Sequence, residues 1–385
     1  MPNYKASIHS KLPAVNTSIF SVMSALANEH NAINLSQGFP GFDCHPYLIE
    51  LVNKHLRLSN NQYAPMPGVA SLREAIASKT SELYGINYNP DTEITITAGA
   101  TQAIFTAISA FVNEGEEVIV IEPAYDCYVP AIELAGGKPV FFQLQPGTYT
   151  VNWDEFQKLI NPRTRMIIIN SPHNPTGSVF TENDMLRLDK ITRNSDIVIL
   201  SDEVYEHIVF DGQVHQSMAR YPHLADRSII ISSFGKTYHT TGWKLGYCLA
   251  SANLMKEFRK VHQYVVFSVN TPLQFAYSEF LERKDEYLQL SDFYNKKRDF
   301  FINLFQGSNF TLKPSAGTYF QLLNYKKISE ENDEAFARRL TTEYKVASIP
   351  VSVFYSKKRD SKDLRFCFAK NEDELEKAAE RLVKL

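Results

Sequence analysis

The sequence predicts an α/β protein: a large domain built on a mainly parallel sheet flanked by helices, with a smaller α/β domain beside it. Three observations predict this. From about residue 93 to 250, apolar runs such as EEVIVIE, MIII, DIVIL and RSIII alternate with amphipathic stretches of helical period, as strands buried on both faces do when helices cross between them. After about residue 270 the pattern changes to long charged helices, LQFAYSEFLERKDEYLQLSDFYNKKRDFFINLF and EAFARRLTTEYKVASIP, interspersed with SAGTYFQLLNY and LRFCFAK. A chain of 385 residues also exceeds what a single core usually fills.

Composition narrows the function classes. A net charge of -3 gives no basic face for nucleic acid, and 22% charged with 44% hydrophobic residues is ordinary for a soluble globule. Cys44, Cys127, Cys248 and Cys367 are scattered without a C-x-x-C spacing, which suggests neither a metal site nor a disulfide framework and fits a reducing compartment. The start, MPNYKASIHSKLP, has no apolar run of a signal peptide, and no stretch is long enough to span a bilayer. A cytoplasmic protein without membrane or nucleic-acid partners is expected.

The strands of the large domain each end in residues suited to chemistry. ITIT runs into Gly99, Ala100 and Thr101 at a helix start, where backbone N–H groups and the helix dipole favour an anion such as a phosphate. EEVIVIE leads to Tyr125, a ring able to stack on a flat ligand or simply a core tyrosine. MIII opens into NSPHNPTG, a good turn that also places the Asn174 amide. DIVIL ends in Asp202 with Tyr205 three residues on, a helix-capping aspartate in its plainer reading and a buried carboxylate for a ring nitrogen in the functional one. RSIIISS runs into SFGKTYHTTGWKLG, where Ser233 precedes Lys236 by three residues and Lys244 follows it by eight, with Gly242 and Gly246 leaving room for backbone.

Lys236 is the centre of that constellation. A lysine forms an imine with an aldehyde only when its amine is neutral and held in place, and pyridoxal 5′-phosphate (PLP) supplies such an aldehyde together with a phosphate for Ser233 and Lys244. Asp202 would then keep the pyridine nitrogen protonated, making the ring an electron sink, while Asn174 and Tyr205 reach its phenolic oxygen.

The motifs NLSQGFPGF, YAPMPGVASLREAI, AGATQA, EPAYDCY, NSPHNPTG, SDEVYEHIVF, SFGKTYHTTGWKLGY and LRFCFAK occur in one order over nearly the whole chain. In this the sequence resembles the class I/II aminotransferases of PLP fold type I, nearest the methionine, aromatic and kynurenine aminotransferase branch. The resemblance implies that Lys236 carries PLP, Asp202 pairs with its ring nitrogen, Asn174 and Tyr205 contact its phenolic oxygen, and Tyr125 stacks on the ring. It assigns the phosphate to Ala100, Thr101, Ser233 and Lys244, with Tyr63 reaching across from the second subunit of a homodimer with a composite active site. Arg365 would clamp the substrate α-carboxylate as a two-pronged fork, with Gly38 offering backbone. Many members carry arginine where Lys244 stands, but the nearest branch commonly has lysine. The resemblance also implies a discontinuous small domain: residues 1–35 form an N-terminal arm and part of it, 36–270 the large PLP-binding domain, and 271–385 the rest.

The expected activity is transfer of an amino group from an L-amino acid to a 2-oxo acid by a ping-pong mechanism, with Lys236 as the base that moves the α-proton. Phe20, Phe39, Tyr63, Tyr125 and Tyr128 are aromatic candidates for the pocket mouth and point to methionine, aromatic amino acids or kynurenine as donor. With 12% aromatics in the chain, core packing is the plainer reading of any one of them. No second cation for a dicarboxylate substrate is identified. Two other functions remain open at this stage: a cysteine-conjugate β-lyase using the same constellation, and a non-catalytic PLP or amino-acid sensor.

Overall fold

The structure is a computed structural model and describes residues 6–385; residues 1–5 of the expected N-terminal arm lie outside them. Its centre is a seven-stranded sheet of β1 (Ile94–Thr97), β2 (Glu117–Glu122), β3 (Lys138–Gln143), β4 (Thr164–Asn170), β5 (Val198–Asp202), β6 (Ser228–Ser233) and β7 (Gly246–Leu249). The spatial order is β1-β7-β6-β5-β4-β2-β3. Every pair from β3 to β6 is parallel, whereas β7 runs antiparallel to both β1 and β6, so the sheet is mainly parallel with one reversed strand.

Alternation along each strand explains why the sheet is buried on both sides. Ile119, Ile121, Ile167, Ile169, Ile199 and Ile230 face one core, which is closed by helices Ala70–Tyr84 and Glu182–Thr192 through Leu72, Ile76, Met185 and Leu188. Their neighbours Val118, Val120, Met166, Ile168, Val198, Leu200, Ile229 and Ile231 face the other, beneath helices Ala100–Phe111 and Ala252–Val265.

A further core gathers Met23 and Leu35 with residues from Leu290 to Leu382. It surrounds a three-stranded antiparallel sheet in which β10 (Asp363–Cys367) lies between β8 (Phe320–Asn324) and β9 (Ile349–Pro350). The N-terminal segment joins it through helix Ile19–Glu29, capped by the Ser18 hydroxyl, and through Ile33–Asn34, which pairs in parallel with Val346–Ala347. The changeover falls later than the residue 270 suggested by the sequence. Helix Thr271–Phe280 packs on Pro46–Arg57 and places Leu273, Ala276, Tyr277 and Phe280 in the core of the large sheet. Its charged surroundings masked this attachment, because the apolar face is only one stripe of the helix.

One segment threads two cores. β5 begins among the apolar residues of the large sheet, and the chain immediately after it, Val204, Tyr205, Ile208 and Phe210, packs with Tyr294, Tyr319 and Phe320 in the core that contains β8 and β10.

Candidate active site

A cavity of about 240 Å³ opens at the carboxyl ends of β1, β4, β5 and β6, where an open α/β sheet collects ligands. At the end of β1, Gly99 adopts φ 80°, a left-handed conformation natural to glycine, and Ala100 and Thr101 begin the helix whose first N–H groups have no partner within it. Lys244, itself at φ 53°, brings its Nζ to 3.5 Å from where a Cβ on Gly99 would stand, so a cation flanks the amide end of that helix. Gly246 closes the back of this seat: a Cβ there would lie 2.6 Å from the Ser232 carbonyl oxygen and 3.3 Å from the Ala100 nitrogen. Ser233, the last residue of β6, lines the same region.

Asp202 lies at the end of β5, on the face covered by helix Ala100–Phe111. Its Oδ2 accepts from the Tyr128 hydroxyl at 2.6 Å, and Oδ1 accepts from the Val204 amide at 3.3 Å. Burial pushes the carboxyl up to about 6, and the hydrogen bonds from Tyr128 and Val204 work against that rise. Asn170, at the end of β4, ties the neighbouring pieces together. Its Nδ2 donates to the Asp202 carbonyl at 2.9 Å, and its Oδ1 accepts from the Asn174 amide at 2.8 Å. Asn174 uses Oδ1 to accept from Arg365 at 2.8 Å, which leaves its Nδ2 as a donor for the cavity it lines.

Lys236 sits in the short helix Phe234–Thr237 directly after β6. Its Nζ donates to the Gly38 carbonyl oxygen and to the Tyr319 hydroxyl, each at 2.9 Å, and lies 5.6 Å from the centroid of the Tyr205 ring. Burial foremost, with Arg365 and Lys244 adding to it, pushes the amine down to about 8. Tyr205 is itself buried, and its phenol is raised by that burial. Arg365, on β10, is 1% exposed and has its guanidinium carbon 3.9 Å from the Phe320 ring centroid. It donates to Asn174 and, at 2.7 Å, to the Ser36 carbonyl oxygen; its buried Nε has no partner.

Beneath this layer the same segment is anchored by charge. Glu203 accepts from Ser201 at 2.8 Å, lies 2.8 Å from His215, and accepts from the Met218 amide at 3.0 Å. Burial opposes ionisation of Glu206, yet Lys79 at 2.8 Å, with His207 and Tyr84, holds it well below the usual carboxylate range. Asp202 and Tyr205 thus alternate with two carboxylates that fasten the turn from below.

Of the residues singled out in the sequence, Gly99, Ala100, Thr101, Tyr125, Asn174, Asp202, Tyr205, Ser233, Lys236, Lys244, Arg365, Gly38, Phe20 and Phe39 all line this one cavity. Two do not. Tyr128, expected at the pocket mouth, is 2% exposed and lies behind Asp202, because the helix it begins is packed against the sheet and its hydroxyl is taken by the carboxylate. Tyr63 is 80% exposed and meets Phe267 edge-on at 5.1 Å, outside the cavity of its own chain. Sequence reasoning missed Tyr319, Asn170, Thr241 and Phe320. Asn170 carried a usable signal, a polar residue closing an apolar strand; Tyr319, within an otherwise ordinary strand approach, carried none.

The donor set fits PLP. It combines a half-buried primary amine whose proton is loosened by desolvation, a carboxylate at the end of a central strand, an amide-rich seat beside a lysine, and an orphaned buried Arg365 Nε facing no protein acceptor. Among the described residues no group of His, Cys, Asp and Glu is arranged to hold a metal ion, and no helix is long and apolar enough to cross a membrane.

Comparison with known proteins agrees with this geometry. Residues 30–382 match the family model of aminotransferase class I and II. The chain is 50% identical to a methionine aminotransferase of Escherichia coli over 377 residues, covering 98% of each chain. It is 36% identical to a kynurenine–oxoglutarate transaminase of Dictyostelium discoideum, covering 96% of this chain and 94% of that one. Among solved structures, YbdL of Escherichia coli, for which a methionine aminotransferase function was identified, superposes with a TM-score of 0.97 at 49% identity, over 99% of this chain and 100% of that one. With a lysine, an aspartate and an arginine converging on one cavity at the sheet's carboxyl edge, the chain belongs to the class I and II aminotransferase family and is a transaminase.

Proposed function

We propose that this transaminase uses PLP to move the amino group of methionine, an aromatic L-amino acid or a kynurenine-like donor to a 2-oxo acid. The observation that carries the reading is the half-buried Lys236 amine, lining the same cavity as the Asp202 carboxylate and the Arg365 guanidinium. The likeness to methionine aminotransferase and kynurenine transaminase supports the donor class. When bound, PLP supplies an aldehyde for amines and a ring that accepts the electrons left on the substrate α-carbon.

The chain's own groups divide the remaining work. Ala100, Thr101, Ser233 and Lys244 would hold the phosphate, Asp202 would keep a proton on the ring nitrogen, Asn174 Nδ2 and the Tyr205 hydroxyl would donate to the phenolic oxygen, and Tyr125 would cover the ring. Arg365 fixes the substrate carboxylate, pre-aimed by its bonds to Asn174 and Ser36 and by the Phe320 ring beneath it. Lys236, as a free neutral amine, would take the α-proton and deliver it to the carbon of the PLP aldehyde. Phe20 and Phe39 offer an apolar wall to the side chain. The cations lining the cavity are Lys236, Lys244 and Arg365, and each has a task, so none remains in this protomer for a side-chain carboxylate.

A second copy of the chain completes the site in this reading. Tyr63, Tyr264, Val265 and Phe267 are 80%, 88%, 44% and 59% exposed, an apolar surface that a homodimer would cover while Tyr63 reaches the partner's phosphate seat. Sedimentation finding only an active monomer would remove this part. The four cysteines are unbridged, which supports a reducing, cytoplasmic setting.

The test is spectroscopic. PLP-loaded protein given L-methionine without an oxo acid should lose its visible cofactor band as the pyridoxamine form accumulates, and an added 2-oxo acid should restore it. A band indifferent to methionine and to aromatic amino acids would defeat the donor assignment.

A further inference from the structure

Resting on the reading of Lys236 as the base, we propose that Tyr319 is a positioning residue of the half-reaction: its hydroxyl oxygen, together with the Gly38 carbonyl, aims the lone pair of the free Lys236 amine at the substrate α-carbon.

The hydrogen bonds define the arrangement. The Tyr319 hydroxyl donates to the Gly38 carbonyl oxygen at 2.6 Å, so its single proton is committed and its oxygen faces Lys236 as an acceptor. Lys236 Nζ reaches that oxygen and the Gly38 carbonyl, each at 2.9 Å. A neutral amine has two N–H bonds and one lone pair. With both N–H bonds placed on these two acceptors, the tetrahedral nitrogen keeps its lone pair for the direction away from them.

Tyr319 is suited to act as a fixed reference. It is 0% exposed, and its ring is held by Tyr205, Phe320 and Tyr294 at centroid distances of 5.2, 5.0 and 5.6 Å. Its backbone and that of the two residues before it are tied to three parts of the molecule: Phe368 donates to the Tyr319 carbonyl at 3.0 Å, Thr318 donates to the Ile208 carbonyl at 2.9 Å, and Gly317 to that of Gly177 at 2.9 Å. Burial keeps the phenol protonated far above the ordinary tyrosine range, so it does not compete with Lys236 for the moving proton.

The step balances. The α-carbon–hydrogen bond would break, its electron pair would be left on the α-carbon next to the electron sink that a bound PLP ring supplies, and the proton would form the third N–H bond of Lys236. The two existing N–H bonds remain on Tyr319 and Gly38. The new one carries the proton that Lys236 would then give up to the carbon of the PLP aldehyde, which completes the transfer. Without Tyr319 the amine keeps one anchor and can rotate about it.

The test uses PLP-loaded Tyr319→Phe, which keeps the ring and its aromatic neighbours. Its kcat with L-methionine should fall about 10- to 100-fold, as misorientation of a reacting group by a fraction of an ångström does, while KM changes less than about 2-fold because Arg365 is untouched. The isotope effect on kcat with α-deuterated methionine should rise, since proton transfer becomes slower. In the apoprotein the pH midpoint for capture of added PLP should move down, because the lost acceptor favoured the ammonium form. If Tyr319→Phe does not keep its cofactor band, 3,5-difluorotyrosine at position 319 preserves the shape while weakening the acceptor, and the same fall in kcat is expected. Wild-type kcat and isotope effect in a folded variant overturn the proposal, as does a change confined to KM. Failure of the wild-type protein itself to convert methionine would instead sink the aminotransferase reading.

Discussion

Tyr128 and Asp202 face each other across a 2.6 Å hydrogen bond, with the carboxylate lining the cavity and the tyrosine hidden behind it. The bond opposes the effect of burial on Asp202, so it keeps the carboxylate charged nearer to neutral pH than burial alone would allow. Tyr128→Phe should therefore raise the Asp202 pKa further. A hydrogen bond to a charged group is worth about 1.5 kcal/mol, which corresponds to about one pH unit. In the apoprotein the Asp202 carboxyl should titrate higher by that amount, and an unmoved titration would show that Tyr128 only fills space.

Lys236 gives a prediction of opposite sign. Its folded-state pKa is pushed down to about 8 from an ordinary value of 10.5. Below about 8 the ammonium form dominates and cannot attack an aldehyde, so capture of PLP by the apoprotein should accelerate as pH rises through that value. Linkage adds a second observable. Between the two values the unfolded chain binds the proton and the folded one does not, so the apoprotein should gain stability as pH rises through the window. Lys236→Ala should abolish turnover and remove this pH dependence while leaving the phosphate seat intact; measurable transamination by that variant would contradict the role of base.

Arg365→Lys should raise KM for methionine by about 100-fold, equivalent to about 3 kcal/mol, with a smaller change in kcat. Lysine retains the charge but not the fork that reaches Asn174 and Ser36 at once. A KM within a few-fold of wild type would place the carboxylate elsewhere.

Gly246 and Gly242 form an internal comparison. At Gly246 a methyl group would meet the Ser232 carbonyl oxygen at 2.6 Å, and that backbone belongs to the sheet. Gly246→Ala should cost about 1–3 kcal/mol of stability and weaken PLP binding by displacing the Ala100 amide. At Gly242 an added Cβ meets nothing within 4 Å, and Gly242→Ala should melt and bind as wild type. Equal melting temperatures for the two variants would show that the seat yields.

The sheet was legible because each strand carries its own evidence. Ile167 and Ile168 face different cores, as period two requires, and Asp202, Ser233 and Asn170 stop apolar runs at the edge where ligands bind. The positions of Lys236 and Gly99 followed from the turns after those strands. Tyr319 was not legible, because its contacts with Lys236 and Gly38 join residues far apart in the chain, and no local pattern records which distant carbonyl a hydroxyl will meet. Tyr128 was misplaced for a related reason: its neighbour Tyr125 lines the cavity, and only the packing of its helix decides that Tyr128 turns behind Asp202. The attachment of Thr271–Phe280 to the large core was hidden similarly, since its partner Pro46–Arg57 lies far upstream.

The segment that begins as β5 and ends among Tyr294, Tyr319 and Phe320 has a thermal consequence. Neither core can melt while the other stays whole unless this strand is pulled from the middle of a sheet or Tyr205 from an aromatic cluster. Calorimetry of the apoprotein should accordingly give a single cooperative transition instead of two. Heating would then inactivate the protein by one all-or-none event, with no surviving half able to keep a partial grip on the cofactor.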